Sequence, residues 1–127
     1  MLLVSDMASD REETQRRRRQ LREQLLALSG EPLMRGSIVE RRRRCGRPNC
    51  ACARDPKAWH GGKFLTVHLE GRTHALHQRP EDAARVRQAI TAYGQVWEII
   101  NGLTACELRD LRREGRERRR ARRRSRR

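Results

Sequence analysis

From Pro80 onward the apolar residues fall at Ala83, Val86, Ile90, Tyr93, Trp97 and Ile100, alternately three and four positions apart. That period marks an α-helix burying one narrow stripe, the geometry with which helices pair in a coiled coil. Arg79-Pro80-Glu81-Asp82 supplies its start, because proline fits the first turn and two acids suit the positive end of the helix. Asn101-Gly102 weakens the helix, and Leu103, Leu108 and Leu111 can continue it. Upstream the period changes to two. Leu65, Val67 and Leu69 alternate with Phe64, Thr66 and His68, which predicts a strand from Lys63 to Leu69 with the first set facing inward. Glu70-Gly71 provides the turn, and Arg72 to His77 returns as the partner strand with Leu76 inward. Ser37 to Arg44 is a third strand, completing an antiparallel meander. Near the amino terminus Ser9-Asp10-Arg11-Glu12 fits a capping box, opening a helix that Ser29-Gly30 ends. Its Leu21, Leu25 and Leu28, with Leu26 beside them, are the natural partner of the later stripe.

The expected fold class is therefore α+β: an N-terminal helix, a Cys-rich zinc-type turn, a three-stranded antiparallel meander and a long C-terminal helix with a disordered Arg-rich tail. The boundaries are a loose leader at 1–8, the helix at 9–30, the Cys-turn, meander and helix domain at 35–111, and the tail at 112–127. Leu, Ile, Val and Phe make up only 23 of 127 residues. A core that thin needs a staple, either a metal or a partner chain. Homodimer contact through Val86, Ile90, Tyr93 and Trp97 is one way to provide it.

The net charge is +15, and all but two of the 31 basic residues are arginine. By segment the balance is +1 over 1–30, +7 over 31–80, −2 over 81–111 and +9 over 112–127. The positive field thus belongs to the middle of the chain and to the tail, and it attracts polyanions, nucleic acid before anionic lipid. No apolar run is long enough to span a bilayer, and Met1 to Val4 is too short for a secretory signal. The expected location is cytoplasmic, with nucleoid association open.

The middle of the chain holds Cys45-Gly46-Arg47-Pro48-Asn49-Cys50-Ala51-Cys52, with His60 eight residues further on. Cysteines kept reduced and this close suit a soft, tetrahedral ion, with zinc first and a purely structural role. The expected ligands are Cys45, Cys50, Cys52 and His60; His68, His74, His77 and Cys106 are the other candidates for the fourth position. A redox or disulfide role is the rival use of the thiols. Arg41, Arg42, Arg43, Arg44, Arg47 and Arg54 surround the turn, and guanidinium groups pair with phosphate oxygens and with the guanine edge. Arg118, Arg119, Arg120, Arg122, Arg123 and Arg124 form a second block. With Tyr93 and Trp97 in the stripe, only Trp59 and Phe64 remain for stacking, which argues against single-strand recognition through bases. No catalytic set is evident, so an enzyme is not expected. Nucleic-acid binding, DNA first, is the leading expectation. The alternatives are an RNA-binding or ribosome-associated zinc protein and an oligomerising adaptor using the 83–100 stripe.

Gly36-Ser37, the Cys45 to Ala53 turn, His60-Gly61 and Gly71-Arg72-Thr73, with Pro80, Tyr93 and Asn101, together resemble a small uncharacterised prokaryotic family. It is catalogued as a domain of unknown function, number sixty-seven eighty-eight, and the resemblance covers about residues 35–111. Its members are often encoded by transposons, so the resemblance implies association with mobile DNA and supplies no reaction. Gly62, Lys63 and Phe64 stand here where the family continues with proline and aromatic residues.

Overall fold

The structure, a computed structural model, describes residues 3–127, with side chains from Ala8 onward. The elements run α1 (Leu3–Leu28), β1 (Ser37–Arg43), β2 (His60–Leu69), β3 (Arg72–His77) and α2 (Ala83–Ser125), with short 3-10 turns at Ala51–Ala53, Pro56–Ala58 and Pro80–Asp82. This is the expected α+β architecture. The chain divides into two compact units. One joins the residues up to Glu31 with Gly94–Arg127, the other is Pro32–Tyr93, and α2 contributes to both.

The second unit is built on an antiparallel sheet of order β1-β2-β3. The register pairs Ile38 with Leu65 and Leu65 with Leu76, so these three share one face. The start of α2 lies over that face: Leu65, Leu76, Val86 and Ala89 line a common groove, and the Met34 N–H donates to the Ala89 carbonyl at 3.1 Å. Leu65 is buried as expected, whereas Leu69 is half exposed and Leu76, expected to point inward, is 66% exposed at the edge of the groove. On the opposite face Phe64 is buried as well, because it pairs with Val39 and His77 and lies beneath Arg43. Glu70 and Gly71 both take positive φ, 53° and 76°. That is the backbone of a two-residue type I′ hairpin, whose twist matches the strands it joins.

The first unit is an antiparallel helical hairpin of α1 and the later part of α2. Leu21, Ile99 and Cys106 form its buried centre, with Leu25, Leu28 and Leu103 packed around them. Helix α1 starts well before the Ser9 capping box and takes in residues 3–8 of the stretch expected as a loose leader; Met1 and Leu2 lie outside the described residues. The sequence from Val4 to Ala8 contains no glycine or proline to stop it. Helix α2 likewise runs unbroken through Asn101-Gly102. A Cβ on Gly102 would lie 3.0 Å from Leu21 Cδ1, so this glycine lets the two helices approach closely.

The buried stripe of α2 is Ala89, Ala92, Ile99 and Cys106 with Leu103, one position away from the expected Ala83 to Ile100 stripe. Val86, Ile90 and Tyr93 are half buried, and Trp97 and Ile100 are exposed. Small side chains decide the rotation, since alanine and glycine let a backbone come near where tryptophan holds it off.

Towards the other end of the hairpin the stripe turns ionic. Asp110 accepts from Arg18 and from Arg113, the latter at 2.7 Å, while Asp10 accepts from Arg109 and Arg113. Thr14 is buried beside them and returns its hydroxyl to the Asp10 carbonyl. Burial alone would raise the Asp110 carboxyl, but the Arg18 and Arg113 guanidiniums outweigh it and hold it below the usual carboxylate value. The Arg113 side chain is only 5% exposed, so losing Asp110 would leave a buried charge with only the longer contacts to Asp10 and Glu117 at 3.4 and 3.9 Å.

The tail, expected to be disordered alone, is helical to Ser125. Arginine is a good helix former, and acids offset the repulsion: Glu117 takes Arg11 from α1 at 3.0 Å and lies within 3.9 Å of Arg113.

Replacing Asp110 by alanine should cost about 3 kcal/mol of unfolding free energy, against less than about 1 kcal/mol for exposed Glu107→Ala. Urea unfolding of both variants measures this, and equal losses would show the ionic layer to be ornamental. Because the Asp110 pKa is depressed on folding, its contribution is present above the ordinary carboxylate pKa and disappears as pH falls through the lowered value.

Candidate metal centre

Antiparallel pairing of β1 and β2 sets Arg43 opposite His60. The end of one strand and the start of the next therefore come together, and the intervening loop must fold back over them. Cys45 follows β1 by two residues and His60 opens β2, so the sheet itself delivers two of the expected ligands. The loop delivers the others. Gly46 takes φ 85°, turning the chain out of the strand. The Cys50 N–H then donates to the Arg47 carbonyl at 3.2 Å, and the 3-10 turn Ala51–Ala53 closes with the Ala53 N–H on the Cys50 carbonyl at 3.0 Å. That curl directs Cys50 and Cys52 inward. A second turn, Pro56–Ala58, is capped by Asp55, whose side chain accepts from the Lys57 N–H, and it carries the chain back to His60.

The four donor atoms of Cys45, Cys50, Cys52 and His60 all lie within 4.8 Å of one another. The Cys45 and Cys52 sulfurs are 3.5 Å apart, and Cys50 Sγ is 3.2 Å from His60 Nε2. Four donors on a tetrahedron with metal–sulfur bonds of about 2.3 Å would stand about 3.7 Å apart. Three thiol sulfurs and one imidazole nitrogen at these separations can hold a metal ion, and the donor set is consistent with zinc. None of the other fourth-ligand candidates joins the group. His68 Nδ1 pairs with the Thr73 hydroxyl at 3.1 Å, His77 packs edge-on to Phe64, and Cys106 lies in the hairpin core. His74 stands opposite Val67 on the far pair of strands.

The thiols are electrostatically unequal. A backbone hydrogen bond from Cys52 and a side-chain contact with His60 lower the Cys50 pKa to about 6. For Cys52 the Cys45 N–H, 3.4 Å from its sulfur, favours the thiolate, but burial and the neighbouring Cys50 and Cys45 sulfurs outweigh it and push the pKa up. One thiolate stands ready at neutral pH, and the buried sulfur needs a cation before it ionises.

The basic residues around this turn fall into two kinds. Arg42 points its guanidinium into the loop, donating to the Lys57 carbonyl at 2.8 Å, with the Pro56 and Trp59 carbonyls each at 3.5 Å. It acts as a strut holding the second turn against β1. Nothing in the run Arg41 to Arg44 marks one of four arginines for that duty, so sequence reasoning missed it. Arg43 lies 4.8 Å over the Phe64 ring and Arg44 5.5 Å over Trp59, contacts that fix the direction of two charges while leaving them at the surface. Arg41, Arg47 and Arg54 are exposed. The second block, Arg118 to Arg124, belongs to the other unit, on the last turns of α2. Buried Phe64 and half-buried Trp59 leave no open aromatic platform on this turn.

Sheet, loop and donors define a small α+β domain with a turn whose three cysteines and one histidine lie close enough to hold a metal ion. The chain belongs to the domain of unknown function DUF6788, whose family model matches residues 11–88. The match reaches back into α1, beyond the 35–111 span of the resemblance, and ends within α2. No curated protein and no solved structure matches the chain.

In the metal-stripped chain, Cys50 should alkylate first, with a half-maximal rate near its pKa of about 6, and Cys52 should lag into the alkaline range. Peptide mass spectrometry after iodoacetamide pulses across pH reads this directly. A shared pH profile for Cys50 and Cys52 would contradict the geometry.

Proposed function

We propose that the chain is a nucleic-acid-binding accessory protein, duplex DNA being its first target, in which a structural zinc ion closes the Cys45–His60 turn. The observation that carries the reading is the joining of a Cys3His donor set to exposed arginines whose directions the same turn fixes. With four protein donors the ion has no open position for water, so its part is to hold the loop and not to do chemistry. Arg43 and Arg44, aimed by Phe64 and Trp59, and exposed Arg41, Arg47 and Arg54 would contact phosphates and set orientation. The helical block at 118–124 would add affinity without sequence preference. The setting in a transposon or similar element of a prokaryote is carried by the family resemblance.

Two measurements test this. Purified chain should carry about one zinc per molecule, and Cys50→Ser with His60→Ala should abolish retention of the ion and loosen the 32–93 unit. Affinity for duplex DNA should fall steeply with salt, by about 0.9 in log–log slope per phosphate contact, and Arg47→Gln with Arg54→Gln should flatten that slope. A salt-insensitive affinity would defeat the proposal. Tighter binding to structured RNA than to duplex at matched salt would redirect it to RNA.

A further inference from the structure

Among the described residues, five large apolar side chains of the helical hairpin are exposed: Leu26 is 75% exposed, Trp97 56%, Ile100 41%, Leu108 45% and Leu111 61%. Leu26, Trp97, Ile100 and Leu111 share one face. On α1 the inward positions include Arg18, Leu21, Leu25 and Leu28, and Leu26 follows one step after. On α2 the inward positions include Val96, Ile99, Leu103, Cys106 and Asp110, and Trp97, Ile100 and Leu111 each follow one step after. In an antiparallel pair of right-handed helices, one step beyond the seam turns to the same side on both. The contacts between Leu21 and Gly102, Arg18 and Asp110, and Arg11 and Glu117 fix which levels of the two helices lie side by side. By that register Leu26 stands level with Trp97.

We infer that this face is a homodimer interface, in which the hairpins of two copies pack face to face as an antiparallel four-helix bundle. The choice of a second copy rests on three things. Among the described residues the hairpin by itself buries only Leu21, Ile99 and Cys106 of its large or sulfur-bearing apolar residues, a core too thin for two helices to stand on. A two-fold axis parallel to the hairpin sets each α1 on the other copy's α2 at equal height, so Leu26 meets Trp97 and Ile100 of the second copy. The flanking charges then complement one another. Arg19 and Arg22 lie on the same side of α1, and they come level with Glu107 on α2, which takes Arg18 of its own hairpin at 3.1 Å while its side chain stays 64% exposed to a further cation. The interface differs from the Val86, Ile90, Tyr93 and Trp97 set expected from periodicity, retaining Trp97 alone. Dimerisation does not depend on the nucleic-acid reading, although it would present two basic turns to one ligand.

The test is sedimentation equilibrium of the full chain, reduced and free of nucleic acid, across a wide range of concentration. The expected result is twice the chain mass, both with metal bound and after chelation. Trp97→Asp and Leu26→Asp should each give monomer with the helical circular dichroism retained. Arg19→Glu with Arg22→Glu should weaken the dimer by tenfold or more at low salt and by less at high salt. A chain that stays monomeric at every concentration would overturn the inference, and so would a dimer that survives both apolar substitutions. Loss of helix in an aspartate variant passes the decision to the arginine pair, whose unchanged dimer constant would equally overturn it.

Discussion

The pairing of Arg43 with His60 across the first two strands is the constraint from which the Cys45–His60 turn follows. Sixteen intervening residues have to leave one strand and re-enter the next at the same level, and they contain almost no apolar side chain that could hold them by burial. Cys52, 1% exposed, and half-buried Trp59 are the exceptions. Two 3-10 turns and the Arg42 strut organise the loop's backbone, while the sulfurs and the imidazole converge at its base. An ion at that point would convert a loop of polar turns into a rigid surface, since each ligand fixes a different segment: the strand end, the two sides of the first curl, and the next strand's start.

The hairpin unit solves the same shortage of apolar residues by another route. Where leucines run out beyond Leu21 on α1 and Cys106 on α2, the seam continues with Thr14, Arg18, Asp110 and Arg113 in place of hydrophobic side chains. Such a layer adds little net stability over an apolar one, because desolvating the charges consumes most of their attraction. It does select against misregistration, since sliding either helix by a turn would break the Arg18–Asp110 and Asp10–Arg113 pairs that cross between them. The layer therefore sets the register, and the leucine end supplies cohesion.

Much of this was legible in the sequence. Leu65 alternating with Thr66 gave the central strand, Glu70-Gly71 the hairpin turn, and the clustering of Cys45, Cys50 and Cys52 with His60 the donor set, because each depends on a local rule. What failed depended on choices between equally good local patterns. Helix α2 carries two adjacent stripes of three-four spacing, one rich in large apolar residues and one containing Ala89, Ala92 and Gly102. Counting hydrophobicity favours the first, while close approach of backbones favours the second. The helical tail was hidden for a related reason: repulsion among its arginines is visible in the sequence, but the acids that answer it, such as Glu117 facing Arg11, act across the fold. Arg42 is the sharpest case, since nothing in a run of four identical residues says which one turns inward.

These displacements share a physical origin that bears on function. In a chain with so few large apolar residues, small side chains and ion pairs take over the buried positions. Several of the large apolar groups are thereby released to the surface. Trp97 is exposed because Ile99 and Gly102 occupy the approach to α1, and Arg43 reaches the surface because Phe64 beneath it is buried by that same arginine. Surface chemistry and core are thus set by one allocation. An apolar face on the hairpin and oriented cations on the metal turn are both what remains after the thin core has taken the residues that pack most closely.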